Sequence, residues 1–248
     1  MSGSPRVAVF RPDDDRIETA VAVLESLGAT PVADPMLKIE STGAVPAADR
    51  DYVVFTSKTG IELVVDSGWS PGETTLVSIG PGTTAAANRA GWQVDREPDT
   101  YSSAGLVSLL RDEAAGKTVE VARSDHGSPV LLQGLREAGA DVTETVLYRL
   151  VRPPEAGHST ELAADGDLAA AAFTSSLTVE HFLSAAEERG IRAEALAGLN
   201  RAVVGTIGEP TRNTAESLDI AVDVVPDEAT FEALATAVVA RTKTGDAT

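Results

Sequence analysis

Thr145-Val146-Leu147-Tyr148-Arg149-Leu150-Val151-Arg152, closed by Pro153-Pro154, decides how this chain is read. The run is rich in β-formers, with Val146, Tyr148 and Leu150 on one parity and Leu147 and Val151 on the other. That pattern predicts a strand with no strong inside or outside face. Such a strand suits a connector between two bodies better than a place in a core. Its echo lies upstream, where Pro35-Met36-Leu37-Lys38-Ile39 resembles Val146-Leu147-Tyr148-Arg149-Leu150. Each follows a helical stretch and a Gly-Ala pair, so the expectation is a duplicated protein with a hinge.

Outward from the two connectors, strand-like and helix-like segments alternate along the whole chain. Val7–Phe10, Tyr52–Phe55, Leu76–Ile79, Lys117–Ala122, Ala169–Phe173 and Ala202–Thr206 read as short apolar strands. Further short strands are expected around Val94 and over Ile220–Val225. Apolar residues at helical spacing mark helices after these strands, for example Ile17, Ala20, Val21, Leu24 and Leu27, stopped by Gly28. A helix is predicted from about Ala104 to Ala114, and Thr242–Thr248 is expected to fray. Alternation of this kind argues α/β with parallel sheets covered on both faces. Val54-Phe55-Thr56-Ser57 answers Ala172-Phe173-Thr174-Ser175, and Gly80, Thr83, Val94, Pro98 and Leu106 find Gly208, Thr211, Val222, Pro226 and Leu234 at one constant offset. The fold expected is therefore two similar parallel-sheet α/β lobes from an internal duplication, joined by a two-stranded β connector.

Composition narrows the classes. Twenty basic residues against 38 acidic give a net charge of −18, scattered along the chain rather than massed in a tail. A uniformly acidic surface fits a salty cytoplasm, where self-repulsion is screened. No basic stripe with interleaved aromatics suggests nucleic-acid binding, and no run is long enough to span a membrane. With no cysteine there is neither a disulfide frame nor a thiolate nucleophile. The amino terminus lacks the apolar segment of a signal peptide, so a cytoplasmic protein is expected. No surplus apolar helix face stands out, so a monomer is expected too.

The distinctive loops lie where strands end and helices begin. At that edge of an open α/β sheet ligands bind, because unpaired N–H groups and the helix dipole favour anions. Thr56-Ser57-Lys58-Thr59 and Thr174-Ser175-Ser176 add hydroxyls there, and Thr83 and Thr211 sit near helix starts. Capping alone explains any one of these hydroxyls; four loops paired by a repeat point to a ligand with several carboxylates or phosphates. Gly80-Pro81-Gly82-Thr83-Thr84-Ala85 has the G-x-G-x-x-A form of a dinucleotide fingerprint. It does not follow the first strand, and its mate Gly208-Glu209-Pro210-Thr211 lacks the second glycine. His126, His158 and His181 share no metal-ligand spacing, and no G-x-S-x-G elbow occurs. Tyr148 remains as a general-acid candidate, either a strand residue with its hydroxyl in water or a donor aimed at a ligand. A free phenol, titrating at about 10, stays protonated at neutral pH as that role needs.

At these residues the chain resembles uroporphyrinogen-III synthase over nearly its whole length. The resemblance is carried by Phe10-Arg11-Pro12, Val54-Phe55-Thr56-Ser57, Ile79-Gly80-Pro81-Gly82-Thr83 and Ser102-Ser103-Ala104-Gly105-Leu106 in the first half. Arg123, Tyr148, Phe173-Thr174-Ser175 and the Gly208–Thr211 loop followed by Pro226 carry it in the second. It implies lobes that are not the sequence halves: residues 1–34 with 155–248 form one, 41–144 the other, and 35–40 and 145–154 the connector strands, with the substrate between the lobes. It implies a lyase of tetrapyrrole biosynthesis that uses no cofactor or metal. The reaction takes hydroxymethylbilane, a linear tetrapyrrole with eight carboxylates, and closes it to uroporphyrinogen III with the last pyrrole inverted and water lost. It implies Tyr148 as the acid, with Arg11, Thr56, Ser57, Lys58, Thr83, Ser102, Arg123, Ser175 and Thr211 as substrate-binding candidates. A transient hand-over from hydroxymethylbilane synthase is the expected protein partnership. The rival reading is a non-catalytic bilobed module that binds a tetrapyrrole or another polyanion.

Overall fold

Short apolar runs followed by amphipathic ones become strand–helix pairs in the structure, a computed structural model that describes residues 4–245. In chain order the elements are β1 (Arg6–Phe10), α1 (Asp15–Ser26), β2 (Thr30–Ala33), β3 (Lys38–Ser41), β4 (Tyr52–Phe55), α2 (Lys58–Asp66) and β5 (Thr75–Ser78). Then come α3 (Pro81–Arg89), α4 (Ser103–Leu110), β6 (Thr118–Ser124), α5 (Pro129–Glu137), β7 (Asp141–Val151) and α6 (His158–Asp165). The last elements are β8 (Ala170–Phe173), α7 (Ser176–Glu188), α8 (Arg192–Leu199), β9 (Val203–Thr206), α9 (Glu209–Ser217) and α10 (Phe231–Gly245). The chain divides into two compact units, Met1–Lys38 with Val151–Thr248 (unit 1) and Ile39–Leu150 (unit 2). It passes between them within β3 and at the end of β7.

Unit 1 carries a four-stranded sheet in the order β2-β1-β8-β9, and unit 2 a five-stranded one in the order β3-β7-β6-β4-β5. Every pairing whose register is defined is parallel, for example Phe10↔Phe173 and Phe55↔Ala122. Alternate residues feed opposite faces. In unit 1, Val7, Val9, Ala170 and Ala172 pack with Leu234 and Val238 of α10, while Ala8, Phe10, Ala171 and Phe173 pack with Phe182 of α7. Phe10 and Phe173 stack at 4.5 Å between ring centroids, and Phe182 meets both edge-on. The polyalanine run of β8 has weak strand propensity on its own. It forms a central strand because helices press on both faces and leave room only for small side chains. Gly205 of β9 shows the same closeness: a Cβ there would lie 2.3 Å from Val238 Cγ2. Unit 2 repeats the arrangement, with Val54, Val77 and Val121 on one face and Val53, Phe55, Leu76 and Ala122 on the other.

Several sequence expectations change. The strands expected around Val94 and over Ile220–Val225 shrink to single parallel bridges, Val77↔Arg96 and Gly205↔Val224. An aspartate takes over one ladder position in each: Leu76 N–H donates to Asp95 Oδ2 and Val204 N–H to Asp223 Oδ2, at 2.8 and 2.9 Å. The bridges and these aspartates match at the constant offset that relates Gly80 to Gly208. The helix expected from Ala104 to Ala114 runs from Ser103 to Leu110. Helices α6 and α8 were not expected from the periodicity. α10 continues through Gly245, so the start of the tail expected to fray is helical, while residues 246–248 and the first three of the amino-terminal stretch lie outside the described residues. Among the described residues no helix is long and apolar enough to cross a membrane.

Candidate active site

Parallel register brings the distinctive residues of each unit to one edge of its sheet. In unit 2, Phe55 pairs with Ser78 and with Ala122, and Ser124 with Tyr148, so the loops after β4, β5 and β6 adjoin the middle of β7. Ser57 is the N-cap of α2, and its Oγ accepts from Gly60 N–H at 3.0 Å, satisfying one of the donors that a helix start leaves open. Thr56 is half-buried beside it, and Lys58 opens the helix fully exposed. Ser102 caps α4 in the same way, accepting from Gly105 N–H at 3.0 Å.

Tyr148 is not in water. Its side chain is 7% exposed, and its hydroxyl donates to Ser57 Oγ at 3.0 Å. The β6–β7 register shifts between Arg123 and Ser124, where Arg123 pairs with Val146 and Ser124 with Tyr148. Leu147 is the extra residue of this bulge, which re-aims the strand beyond it. As a result Leu147 and Tyr148 enter the same core cluster, although simple alternation puts them on opposite faces. Asp125 fixes the strand just past the tyrosine: its N–H donates to the Tyr148 carbonyl, and its Oδ1 accepts from Leu150 N–H and the His126 ring. Burial raises the Asp125 carboxyl, but these donors outweigh it and hold the group below its ordinary value.

Arg123, one of the cations expected to bind substrate, turns inward. It is 5% exposed, with Nε 2.6 Å from Glu144 Oε1 and a second bond to the Ser128 carbonyl. Gly127 makes room, since a Cβ there would meet the arginine side chain at 2.4 Å. Thr83 is also buried, and on the same loop Thr84 Oγ1 donates to Glu97, which Ser78 joins at 3.3 Å. Glu97, about 20 residues beyond the glycine-rich turn, bonds that turn's own hydroxyls.

Unit 1 shows the matching edge. Thr174 Oγ1 donates to the Phe10 carbonyl at 3.2 Å, joining the ends of β1 and β8. Ser175 caps α7 by accepting from Thr178 N–H, and its hydroxyl lies 3.5 Å from Thr178 Oγ1, which itself donates back to the Ser175 carbonyl. Thr211 is buried in the first turn of α9. Arg11 follows β1 with its guanidinium 5.4 Å from the Phe231 ring centroid, within cation–π range. Its Nε is buried without a hydrogen-bond partner. Burial and the neighbouring Arg16 push its pKa below the ordinary arginine value, with Asp14 and Glu232 pulling back.

Sequence reasoning missed the buried acids that hold these edges. Asp34 accepts from Gly157 N–H, Ser159 N–H and Ser159 Oγ, capping α6 from the far side of the connector. Glu120 accepts from Ala47 N–H, Arg50 and Thr145. Only the placing of an acid within an apolar strand, Glu120 between Val119 and Val121, signalled a partner in advance. His126 pairs with Asp125 and His158 with Glu161, close in sequence, while His181 reaches the distant Met36 carbonyl.

The fold and its edges define a class, an α/β protein of two parallel-sheet units with hydroxyl-bearing helix starts along both carboxyl edges. Residues 18–236 match the family model "Uroporphyrinogen-III synthase HemD". A relative from Methanothermobacter thermautotrophicus, described as "Putative uroporphyrinogen-III synthase", is 30% identical over 242 residues, 91% of this chain and 94% of the relative. The chain belongs to the uroporphyrinogen-III synthase family, cofactor-independent lyases that cyclise hydroxymethylbilane to uroporphyrinogen III. Its fold matches a crystal structure of a mutant uroporphyrinogen III synthase from Thermus thermophilus, with a TM-score of 0.71, 20% identity, and 98% of this chain and 100% of that one covered. A uroporphyrinogen-III synthetase from Helicobacter pylori matches with a TM-score of 0.62 at 11% identity, over 96% and 99% of the two chains.

Proposed function

We propose that Tyr148 serves the departure of the substrate's hydroxyl, and that the helix starts of the two carboxyl edges hold substrate carboxylates. The observation that carries this reading is the Tyr148 hydroxyl on Ser57 Oγ at the N-terminus of α2. Of the other tyrosines, Tyr52 reaches Glu113, and Tyr101 packs its ring and Cβ against Gly80, the N-cap of α3, with 60% of the residue exposed. In unit 2 the carboxylate contacts are Thr56, Lys58 and Ser102, while Thr83 is buried with its N–H on the Gly80 carbonyl. In unit 1 they are Arg11 and Ser175, while Thr211 is buried with its N–H on the Gly208 carbonyl. Arg123 is left out because it is buried and bonded to Glu144 and the Ser128 carbonyl. Closure of a flexible polyanion with one ring inverted requires that reactive ends be held in one relative sense, so positioning supplies much of the rate.

The net charge of −18 repels a polyanionic substrate at long range, and salt screens that repulsion within about 10 Å at ~0.1 M. We therefore expect activity to rise with ionic strength, and propose a salt-adapted cytoplasmic enzyme that receives its substrate by transient hand-over from hydroxymethylbilane synthase. The test is a coupled assay in which hydroxymethylbilane is generated in place and the oxidised porphyrin isomers are separated. Mostly isomer III at high salt supports the reading. Isomer I alone at every salt concentration overturns it and favours a polyanion-binding module, and a rate that peaks at low salt and collapses at molar salt overturns the salt dependence.

A further inference from the structure

We infer that Ser57, rather than Tyr148, is the group that meets the departing hydroxyl, with Tyr148 the positioning residue and proton source behind it. The inference rests on the reading of the reaction given above.

A serine hydroxyl has one proton to give and two lone pairs to fill. Both lone pairs of Ser57 are filled from within the protein, by Gly60 N–H at 3.0 Å and by the Tyr148 hydroxyl at 3.0 Å. Its remaining capacity is to donate, so toward a ligand it is an obligate donor. Two incoming hydrogen bonds and the positive end of α2 make that donation stronger. Ser57 is half-buried, whereas Tyr148 is 7% exposed and its single proton is already directed to the serine. The phenol therefore acts on a ligand only through Ser57. Gly60 keeps the pair close: a Cβ there would lie 3.0 Å from Leu147 Cδ1 and 3.3 Å from Ser57 Oγ.

The matching serine of unit 1 lacks this wiring. Ser175 Oγ accepts from Thr178 N–H and lies against Thr178 Oγ1, whose own proton goes to the Ser175 carbonyl. That circuit is closed on itself, and the connector position that answers Tyr148 is Leu37, a residue without a donor.

In the step assigned to this pair, the carbon–oxygen bond of the substrate's hydroxymethyl group breaks and its electron pair goes to oxygen. The Ser57 Oγ proton passes to that oxygen, which leaves as water, while the Tyr148 proton moves to Ser57 Oγ. Tyrosinate and a pyrrole-stabilised methylene cation remain. For the last pyrrole to end inverted, the cation bonds that ring at the carbon already carrying its bridge. This bridge bond breaks to leave a second methylene cation, and that cation bonds the ring's free α-carbon. That carbon loses one proton, which restores the phenol through the same serine. Only water is lost overall.

The experiment is a double-mutant cycle in the coupled assay at saturating substrate, reading kcat for isomer III. Ser57→Gly removes the hydroxyl while keeping a residue that caps helices nearly as well, and thermal melts confirm folding. Ser57→Gly and Tyr148→Phe should each lower kcat by about 10²-fold, the size of a general-acid contribution. The double variant should lose no more than the worse single one, because both remove the same relay. Ser57→Thr should recover to within about tenfold of wild type. A Ser57→Gly kcat within about threefold of wild type overturns the inference and leaves Tyr148 acting directly. Multiplying losses in the double variant, or a folded Ser57→Thr as poor as Ser57→Gly, overturn it as well. Failure of the underlying reading is distinct, since wild type itself then yields only isomer I.

Discussion

The carboxyl edges of units 1 and 2 begin from nearly the same residues and finish with different chemistry. Each has a serine capping the helix after a Phe-Thr-Ser turn, and each has an arginine at the end of a central strand, Arg11 just past β1 and Arg123 in the last residues of β6. In unit 2 the serine accepts from a phenol, while Arg123 is locked to Glu144. In unit 1 the serine closes on Thr178, while Arg11 lies over Phe231 with its Nε lacking a partner. The strand order β2-β1-β8-β9 corresponds strand for strand to β7-β6-β4-β5, to which unit 2 adds β3 at one edge. The proposed roles divide accordingly, proton delivery to the edge of unit 2 and charge to that of unit 1.

Four substitutions break or sharpen this contrast. The largest effect is expected from Tyr148→Phe, a loss of about 10²-fold in kcat for isomer III with drift toward isomer I, read by chromatography of the oxidised products. Arg11→Ala comes next, with a rise in KM of about tenfold and little change in melting temperature, since its guanidinium is available for a charge-assisted contact. Arg123→Met should do the reverse. Breaking a fully buried pair costs ~3–5 kcal/mol. Glu144 keeps 32% of its side chain exposed, so we expect about 2 kcal/mol here, or a fall of roughly 4–8 °C in thermal melts.

The smallest effect concerns Asp51, which ties the starts of β4 and β6 by accepting from Thr118 N–H, Thr118 Oγ1 and Lys117. The Thr118 backbone donor is the main cause of its depressed pKa, which falls from 3.8 to about 2. A carboxyl depressed in the folded state stabilises it above the unfolded pKa, and that contribution is lost as pH falls from 3.8 toward about 2. Asp51→Asn should therefore flatten the acid limb of the stability curve in that window and leave its slope near neutrality unchanged.

How far the two edges were legible follows from the range of the interactions. The turns at Ser57 and Ser175 were legible because an apolar strand followed by Thr-Ser is a local signal. The alternation of elements gave the α/β class for the same reason. The fates of Arg123 and Tyr148 were not legible, because both depend on the β6–β7 register and on one bulge that alternation cannot reveal. Helix α6 was missed since it lies between two left-handed glycines, Gly157 and Gly166, with little apolar period of its own. It is ordered by Asp34, far away in sequence. The division of the chain within β3 and at the end of β7 was approached only through the family resemblance, because periodicity carries no information on which strands share a sheet.

The most direct test sets the two capping serines against each other. Isomer III formation would be measured for Ser57→Gly and Ser175→Gly at high salt, with kcat and KM separated. The account predicts a fall of about 10²-fold in kcat for Ser57→Gly, and for Ser175→Gly a change carried by KM more than by kcat. Equal losses of kcat in the two variants, or the larger loss at Ser175, would contradict it.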